Sequence, residues 1–148
     1  KNWEKLPIDV NEIDLVLLTH AHLDHSGYIP LLIKNGYNGE IYCTPATKDL
    51  TKIILLDSGK IQEEDARRAN KYEYTNHKPA QPLYDVDDAK LAVSRFKTFE
   101  TNKWHTFDES IKFKFLNSGH ILGSALILVN INFLCRFRRL KLIKTIAK

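Results

Sequence analysis

A dense group of histidines directly follows a short apolar run, and this pairing limits the folds that the chain can adopt. Residues 13–19 are almost continuously apolar, which is typical of a strand buried on both faces of a sheet. Three of the six histidines and one carboxylate come next, within six positions, as His20, His22, Asp24 and His25. Because alternate side chains of an extended segment share one side, His20, His22 and Asp24 are predicted to converge. His25, at the turn into the next helix, is predicted to lie at the rear of the same cavity.

The spacing of these side chains favours a metal site. Burying four hydrogen-bonding groups together is costly unless something satisfies them, although polar residues at a strand end can also simply cap a turn. A catalytic zinc usually takes three protein ligands, chiefly imidazole nitrogens, and keeps one position for water. The sequence offers His120 as the further histidine, between Gly119 and Gly123, which allow close backbone approach. His77 and His105 are predicted to be surface residues and are given no role.

Alternating strand and helix patterns along the chain predict an α/β fold. Strands are predicted at residues 13–19, 40–43, 97–99, 104–107, 111–116 and 125–131. Helices are predicted at residues 27–34, 45–70 and 86–96, with Asp85 as the cap of the last one. The long helix is predicted to break or kink near Ser58 and Gly59. The strands at 97–99 and 104–107 are predicted to pair with each other around Asn102.

Cysteine usage and hydropathy argue against two classes of protein. Cys43 and Cys135 stand far apart without a Cys-x-x-Cys spacing, which argues against a disulfide scaffold and against a cysteine-bound structural zinc. A reducing, cytoplasmic setting is therefore expected. The longest apolar stretch, at 121–135, is too short and too often interrupted by polar residues to span a membrane. Methionine is absent, so the chain is expected to be an internal piece of a longer reading frame or a processed chain.

Two segments resemble sequence motifs of a known superfamily. Residues 20–25, which read His-Ala-His-Leu-Asp-His, and residues 118–125, which read Ser-Gly-His-Ile-Leu-Gly-Ser-Ala, resemble the second and third motifs of the metallo-β-lactamase superfamily. The amino-acid sequence of the second segment resembles in particular that of the RNA-processing branch, the β-CASP nucleases. Residues 57–65, together with 82–84 and Asp88, resemble a helical insert between these motifs in bacterial and archaeal members. The resemblance covers about residues 8–131.

This resemblance implies a partial αββα sandwich, two zinc ions, and hydrolysis of RNA phosphodiester bonds by metal-activated hydroxide. It also implies that His20, His22 and His120 bind one zinc ion. Asp24 and His25 would then bind the second, and Asp24 would have a catalytic role in orienting the nucleophile.

The chain departs from the family pattern in its carboxylates. The family has an aspartate motif upstream of the first histidine motif and a metal-bridging aspartate after the second, yet no Asp or Glu follows Glu109 here. About one tightly bound zinc and weak or absent activity are therefore expected. The resemblance ends near residue 131, so residues 1–131 are predicted to form a partial metallo-β-lactamase domain. Residues 132–148 are predicted to be a basic tail, either disordered or the product of a frameshift.

Other functions stay open at this stage. A thioesterase-type or lactonase-type hydrolase of the same superfamily would share the first histidine motif, but would not be expected to carry residues 62–64 and 119–125 as they stand. A non-catalytic RNA-binding remnant would use the basic tail, and a remnant without function would do neither. RNA is the expected partner. The strand at 13–19 is expected to lie at an exposed sheet edge, which would promote self-association.

Overall fold

A computed structural model describes residues 8–76 and 78–132, which form two three-stranded sheets and their connecting helices. The strands are β1 (Val16–Leu17), β2 (Ile41–Cys43), β3 (Phe96–Thr98), β4 (Trp104–Thr106), β5 (Ile111–Asn117) and β6 (Ala125–Ile131). The α-helices are α1 (Leu23–Ser26), α2 (Ile29–Lys34), α3 (Pro45–Tyr72) and α4 (Val86–Ser94), and a 3-10 turn spans Val10–Glu12. The predicted α/β class is confirmed.

The first sheet is parallel and has the strand order β1-β2-β3. Parallel strands need crossover connections, and these are α1 with α2 between β1 and β2, and α3 with α4 between β2 and β3. Apolar side chains of α2 and α4, among them Ile33 and Ala92, pack against Ile41 and Phe96 of this sheet. Among the described residues β1 is an edge strand, which is the feature on which the predicted self-association depends.

The second sheet is antiparallel, has the order β4-β5-β6, and packs face to face on the first. Tyr42 of β2 meets Phe113 of β5 at a ring-centroid distance of 5.4 Å and Phe99 at 4.6 Å. Helices, first sheet and second sheet therefore form three successive layers, consistent with a partial αββα sandwich. Leu126 and Leu128 on the other face of the second sheet are 62% and 45% exposed.

The predicted pairing of the strands on either side of Asn102 is wrong. β3 continues the first sheet, where Phe99 N–H donates to the carbonyl oxygen of Cys43 at 2.9 Å, whereas β4 pairs with β5. Asn102 adopts a positive φ of 62°, and its N–H donates to the carbonyl oxygen of Phe115 at 2.7 Å. The turn at Asn102 thus carries the chain from one sheet to the other instead of closing a hairpin.

The long helix α3 runs unbroken through Ser58 and Gly59, so the predicted break is wrong. A Cβ at Gly59 would lie 3.0 Å from the carbonyl carbon and oxygen of Asp85, which shows that the glycine permits close approach of the segment before α4. Asp85 caps α4 as predicted, because it accepts the Asp88 N–H at 2.8 Å and Asp88 accepts the Asp85 N–H at 3.2 Å. α4 ends at Ser94, before the predicted residue 96.

Within the described residues, no helix combines the length and the apolar character that a membrane crossing requires. The predicted basic tail lies outside the described residues except for Asn132, and His77 and Cys135 lie outside them as well. The proposed domain boundary at residue 131 stays a prediction.

Candidate metal centre

The first histidine segment lies where β1 leads into α1. The backbone after β1 still bonds to the sheet, since Leu18 N–H donates to the carbonyl oxygen of Tyr42 at 2.9 Å. His22 immediately precedes α1 and has φ −53° and ψ 143°. The hydroxyl of buried Ser26 lies 3.0 Å from the carbonyl oxygen of Ala21 and 3.1 Å from that of His22. A strand end and a tightly bonded turn therefore fix the backbone of this segment.

His120 comes from the loop at residues 118–124, which joins β5 to β6. Gly119 and Gly123 have positive φ angles of 70° and 79°, a region that favours glycine. The Ser124 hydroxyl oxygen accepts the N–H of His120 at 3.1 Å and that of the following residue at 3.0 Å. These bonds fold the loop tightly, and the fold of the loop directs His120 toward the first histidine segment.

The structure brings His20, His22 and His120 together. Nδ1 of His22 lies 3.2 Å from Nε2 of His20 and 3.3 Å from Nε2 of His120. One ring nitrogen of each residue lies within 4.8 Å of the other two. Two nitrogens bound at about 2.0–2.1 Å to one tetrahedral zinc ion are about 3.3–3.4 Å apart. The two short separations therefore suit ligands that share one zinc ion.

The hydrogen-bonding capacity of the rings also favours a cation among them. A neutral imidazole has one N–H and one nitrogen lone pair, so Nδ1 of His22 cannot form a full hydrogen bond with two ring nitrogens at once. A metal ion would accept a lone pair from all three rings. The Thr19 hydroxyl lies 3.0 Å from Nδ1 of His20, where it can accept the proton of that nitrogen and leave Nε2 free.

The surroundings of His20 favour its neutral form. Burial lowers the pKa of His20 below its ordinary value of 6.5, and the neighbouring rings of His25, His22 and His120 lower it further, while Asp24 opposes them. Neutral imidazole is the form that coordinates metals. His20 is buried, whereas His22 and His120 are exposed, so the cluster opens to solvent on one side.

Asp24 and His25 lie next to this cluster but are not among the three residues that converge. Oδ2 of Asp24 is 3.4 Å from Nε2 of His25, and the side chains are 61% and 24% exposed. The His25 ring, on α1, has its centroid 4.1 Å from that of His20. Nδ1 of His25 is buried without a hydrogen-bond partner. This unsatisfied nitrogen is the kind of group that a bound ion or water would satisfy.

His105 is not one of the three converging histidines, and it is partly buried instead of lying free at the surface. It is partly buried in β4, its ring packs 4.9 Å from Phe99 and 5.5 Å from Phe113, and its Nε2 lies 2.9 Å from the carbonyl oxygen of Glu100. These contacts place it in the aromatic core between the sheets.

Sequence reasoning missed a pair of threonines behind the His120 loop. Thr44 and Thr47, at the start of α3, donate their hydroxyls to the carbonyl oxygen of Gly123 at 2.6 and 2.8 Å. In the sequence Thr44 is marked only as the residue that precedes the helix predicted at 45–70. Its partner is 79 residues away along the chain, so no local pattern reveals the contact.

Comparison with known proteins identifies the family to which the chain belongs. The sequence model of a metallo-β-lactamase superfamily domain matches residues 1–133. The chain belongs to the metallo-β-lactamase superfamily. The resemblance carried by the two histidine motifs is thereby confirmed.

Several curated relatives have names connected with RNA. The chain is 38% identical to transcription termination factor FttA of Methanosarcina mazei over 117 residues, which is 79% of this chain and 16% of that protein. It is 35% identical to FttA of Methanothermobacter thermautotrophicus over 118 residues, with the same two shares. It is 32% identical to a ribonuclease of Thermus thermophilus over 127 residues, 86% of this chain and 25% of that protein. The chain thus spans about a sixth to a quarter of these relatives.

Proposed function

We propose that this chain carries the zinc-binding histidines of a nuclease that hydrolyses phosphodiester bonds in RNA within the cytoplasm. The observation that carries the proposal is the convergence of His20, His22 and His120, with two nitrogen separations of 3.2 and 3.3 Å. Superfamily membership supports a hydrolase. The names of the relatives, a ribonuclease and a transcription termination factor, support RNA as the substrate.

Each residue of the site has a distinct role in this proposal. Nε2 of His20, Nδ1 of His22 and Nε2 of His120 would hold one zinc ion, and Asp24 with His25 would contribute to a second. Bound zinc lowers the pKa of a water molecule and stabilises negative charge on phosphate oxygens. Asp24 would orient the attacking water from the solvent side, since its carboxylate is exposed beside the histidines.

The supply of ligands limits the second ion. Three nitrogens suffice for a catalytic zinc site, but a second site built from Asp24 and His25 has only two protein ligands, and no acidic residue follows Glu109. We therefore expect about one firmly bound zinc per chain. Elemental analysis after dialysis measures this number. Two firmly bound ions, or none, would contradict the ligand assignment.

Substitution of single histidines separates the site from other zinc-binding groups. His120→Ala should abolish retention of the firmly bound zinc, because two imidazoles alone hold zinc weakly. His105→Ala is the matched control, since His105 lies in the aromatic core and should leave zinc content unchanged. Unchanged zinc content in His120→Ala would remove His120 from the site.

Cleavage of labelled single-stranded RNA in the presence of zinc tests the reaction. The 148-residue chain should cut weakly or not detectably, because loss of a second Lewis acid costs transition-state stabilisation, and each 1.36 kcal/mol is about tenfold in rate. A polypeptide extended to the length of the relatives should cut in a zinc-dependent manner. In that longer protein Asp24→Ala and His22→Ala should abolish cleavage, whereas Asp49→Ala, which removes an exposed carboxylate of α3, should not.

Assays of RNA binding and of thioester and lactone hydrolysis, run beside the RNA cleavage assay, distinguish the competing functions. RNA binding without cleavage by the extended protein would favour the non-catalytic alternative. Hydrolysis of thioesters or lactones, with RNA left intact, would favour another hydrolase class of the superfamily. Robust RNA turnover by the 148-residue chain that disappears in Asp24→Ala would show that the missing bridging aspartate is dispensable.

A further inference from the structure

His120 is positioned by its backbone more than by packing of its side chain. The residue is exposed, and its ring contacts the rings of His20 and His22. On its N-terminal side, a Cβ added to Gly119 would meet no heavy atom within 4 Å. At Gly119 the loop therefore packs against no other element, and its bonds there are local: Ser118 N–H donates to the Ser124 carbonyl oxygen at 3.1 Å and Gly119 N–H to Oδ1 of Asn117 at 2.9 Å. The contact with a separate element lies on the C-terminal side.

The C-terminal side of the loop is held by the start of α3. The hydroxyls of Thr44 and Thr47 both donate to the carbonyl oxygen of Gly123, at 2.6 and 2.8 Å, which fills both lone pairs of that oxygen. Thr44 is 3% exposed and Thr47 is fully buried. A Cβ at Gly123 would lie only 2.4 Å from the backbone nitrogen of Thr47, so the two backbones are in direct contact.

Ser124 links His120 to the part of the loop that contacts α3. The Ser124 oxygen accepts the His120 N–H at 3.1 Å, and the residue itself follows the clamped Gly123 directly. One residue further, Ala125 N–H donates to the carbonyl oxygen of Thr19 at 2.9 Å, beside His20. The loop is thus fixed both to α3 and to the segment that carries the first histidine.

We infer that Thr44 and Thr47 are positioning residues of the metal centre, which set His120 against His20 and His22 through the Gly123 carbonyl. This inference rests on the proposed zinc site. Functional sites require ligand placement to within about 0.5 Å, which an exposed side chain on an unanchored loop does not achieve. The two threonine hydroxyls supply the part of that anchor that comes from α3, beside the bond from Ala125 to Thr19.

The test compares two threonines of the same helix. Thr47→Val keeps the shape of the side chain but removes the hydroxyl, and it should weaken zinc affinity by about 10–100-fold, the usual effect of losing an outer-shell partner. Thr51→Val is the control, because Thr51 is also fully buried in α3 but its hydroxyl has no hydrogen-bond partner. Competition with a chromophoric chelator measures affinity. Thr51→Val should leave affinity unchanged, and Thr47→Ser, which retains a hydroxyl, should restore most of it.

A double-mutant comparison ties the effect to His120. In a His120→Ala background the residual zinc affinity should be the same with Thr or Val at position 47, because the ligand that the hydroxyl positions is gone. An equal loss in both backgrounds would overturn the inference, as would wild-type affinity in the Thr44→Val, Thr47→Val double variant.

Amide hydrogen exchange in the zinc-free protein separates failure of this inference from failure of the proposed function. The His120 amide should exchange faster in Thr47→Val than in wild type. In Thr51→Val its exchange rate should equal that of wild type. A wild-type chain that binds no zinc would refute the metal site and the positioning role together, even if exchange showed the loop to be anchored. A wild-type chain that binds zinc, with unchanged affinity and exchange in Thr47→Val, would refute only the positioning role.

Discussion

Gly119 and Gly123 flank His120 in one loop and provide a matched pair of substitutions. Their φ angles of 70° and 79° are similar, so alanine at either position suffers comparable backbone strain. The space around them is different. A Cβ at Gly119 meets nothing within 4 Å, whereas a Cβ at Gly123 would lie 2.4 Å from the Thr47 nitrogen and 2.9 Å from the carbonyl carbon of Ala46.

The expected losses in unfolding free energy follow from these distances. Gly119→Ala should cost about 1–2 kcal/mol, which is the penalty for a left-handed backbone alone. Gly123→Ala adds overpacking against the backbone of α3, about 1–3 kcal/mol, and should therefore cost about 2–5 kcal/mol in total. Urea unfolding of the two variants and the wild type measures the difference, provided the m-values agree. Equal losses, or a larger loss for Gly119→Ala, would refute the account of the loop as packed only on one side.

Three further predictions concern stability and association. Tyr84→Phe removes a buried hydroxyl that donates to Ser58 at 2.8 Å and should cost about 1 kcal/mol in urea unfolding, whereas Tyr72→Phe, at a 65% exposed position, should cost nothing measurable. Burial raises the pKa of the Cys43 thiol from 9.0 to about 12, so the unfolded chain releases a proton that the folded chain keeps. Wild type should accordingly lose stability as pH rises from about 9 toward 12, and Cys43→Ala should lose less over the same range. Because β1 is an edge strand among the described residues, sedimentation should show concentration-dependent association, and a clean monomer at all concentrations would contradict this.

The elements that the sequence predicted well are those with a local signal. β6 has the predicted bounds, and β5 extends the predicted strand by one residue, because alternating apolar and polar side chains mark a sheet with one buried face. The cap at Asp85 was equally visible, since the capping residue and its partner are three positions apart.

The predictions that failed depended on contacts between distant parts of the chain. Gly59 lowers the helical preference of its own segment. The helix continues nevertheless, and the backbone of Asp85 approaches so closely that only a residue without a side chain fits there. The segment around Asn102 has the sequence pattern of a hairpin, with short strand-forming runs on both sides of the turn residue. Whether its flanking strands pair is decided by β2 and β5, which compete for them from elsewhere in the sequence.

The candidate site likewise combines residues that are close in sequence with one that is distant, and this difference has a measurable consequence. His20 and His22 lie two positions apart at one strand end, but His120 is 98 residues from His22 and reaches it only when the second sheet has packed on the first. Zinc should therefore bind the folded chain in preference to the unfolded one, and a ligand at 100 times its Kd adds about 2.7 kcal/mol to stability. Thr47→Val should lose much of this increment because it disturbs the third ligand. Tyr84→Phe should retain it, since Tyr84 packs between α3 and α4 and touches none of the three histidines. Unfolding with and without zinc thus separates residues that support the fold from those that support the metal centre.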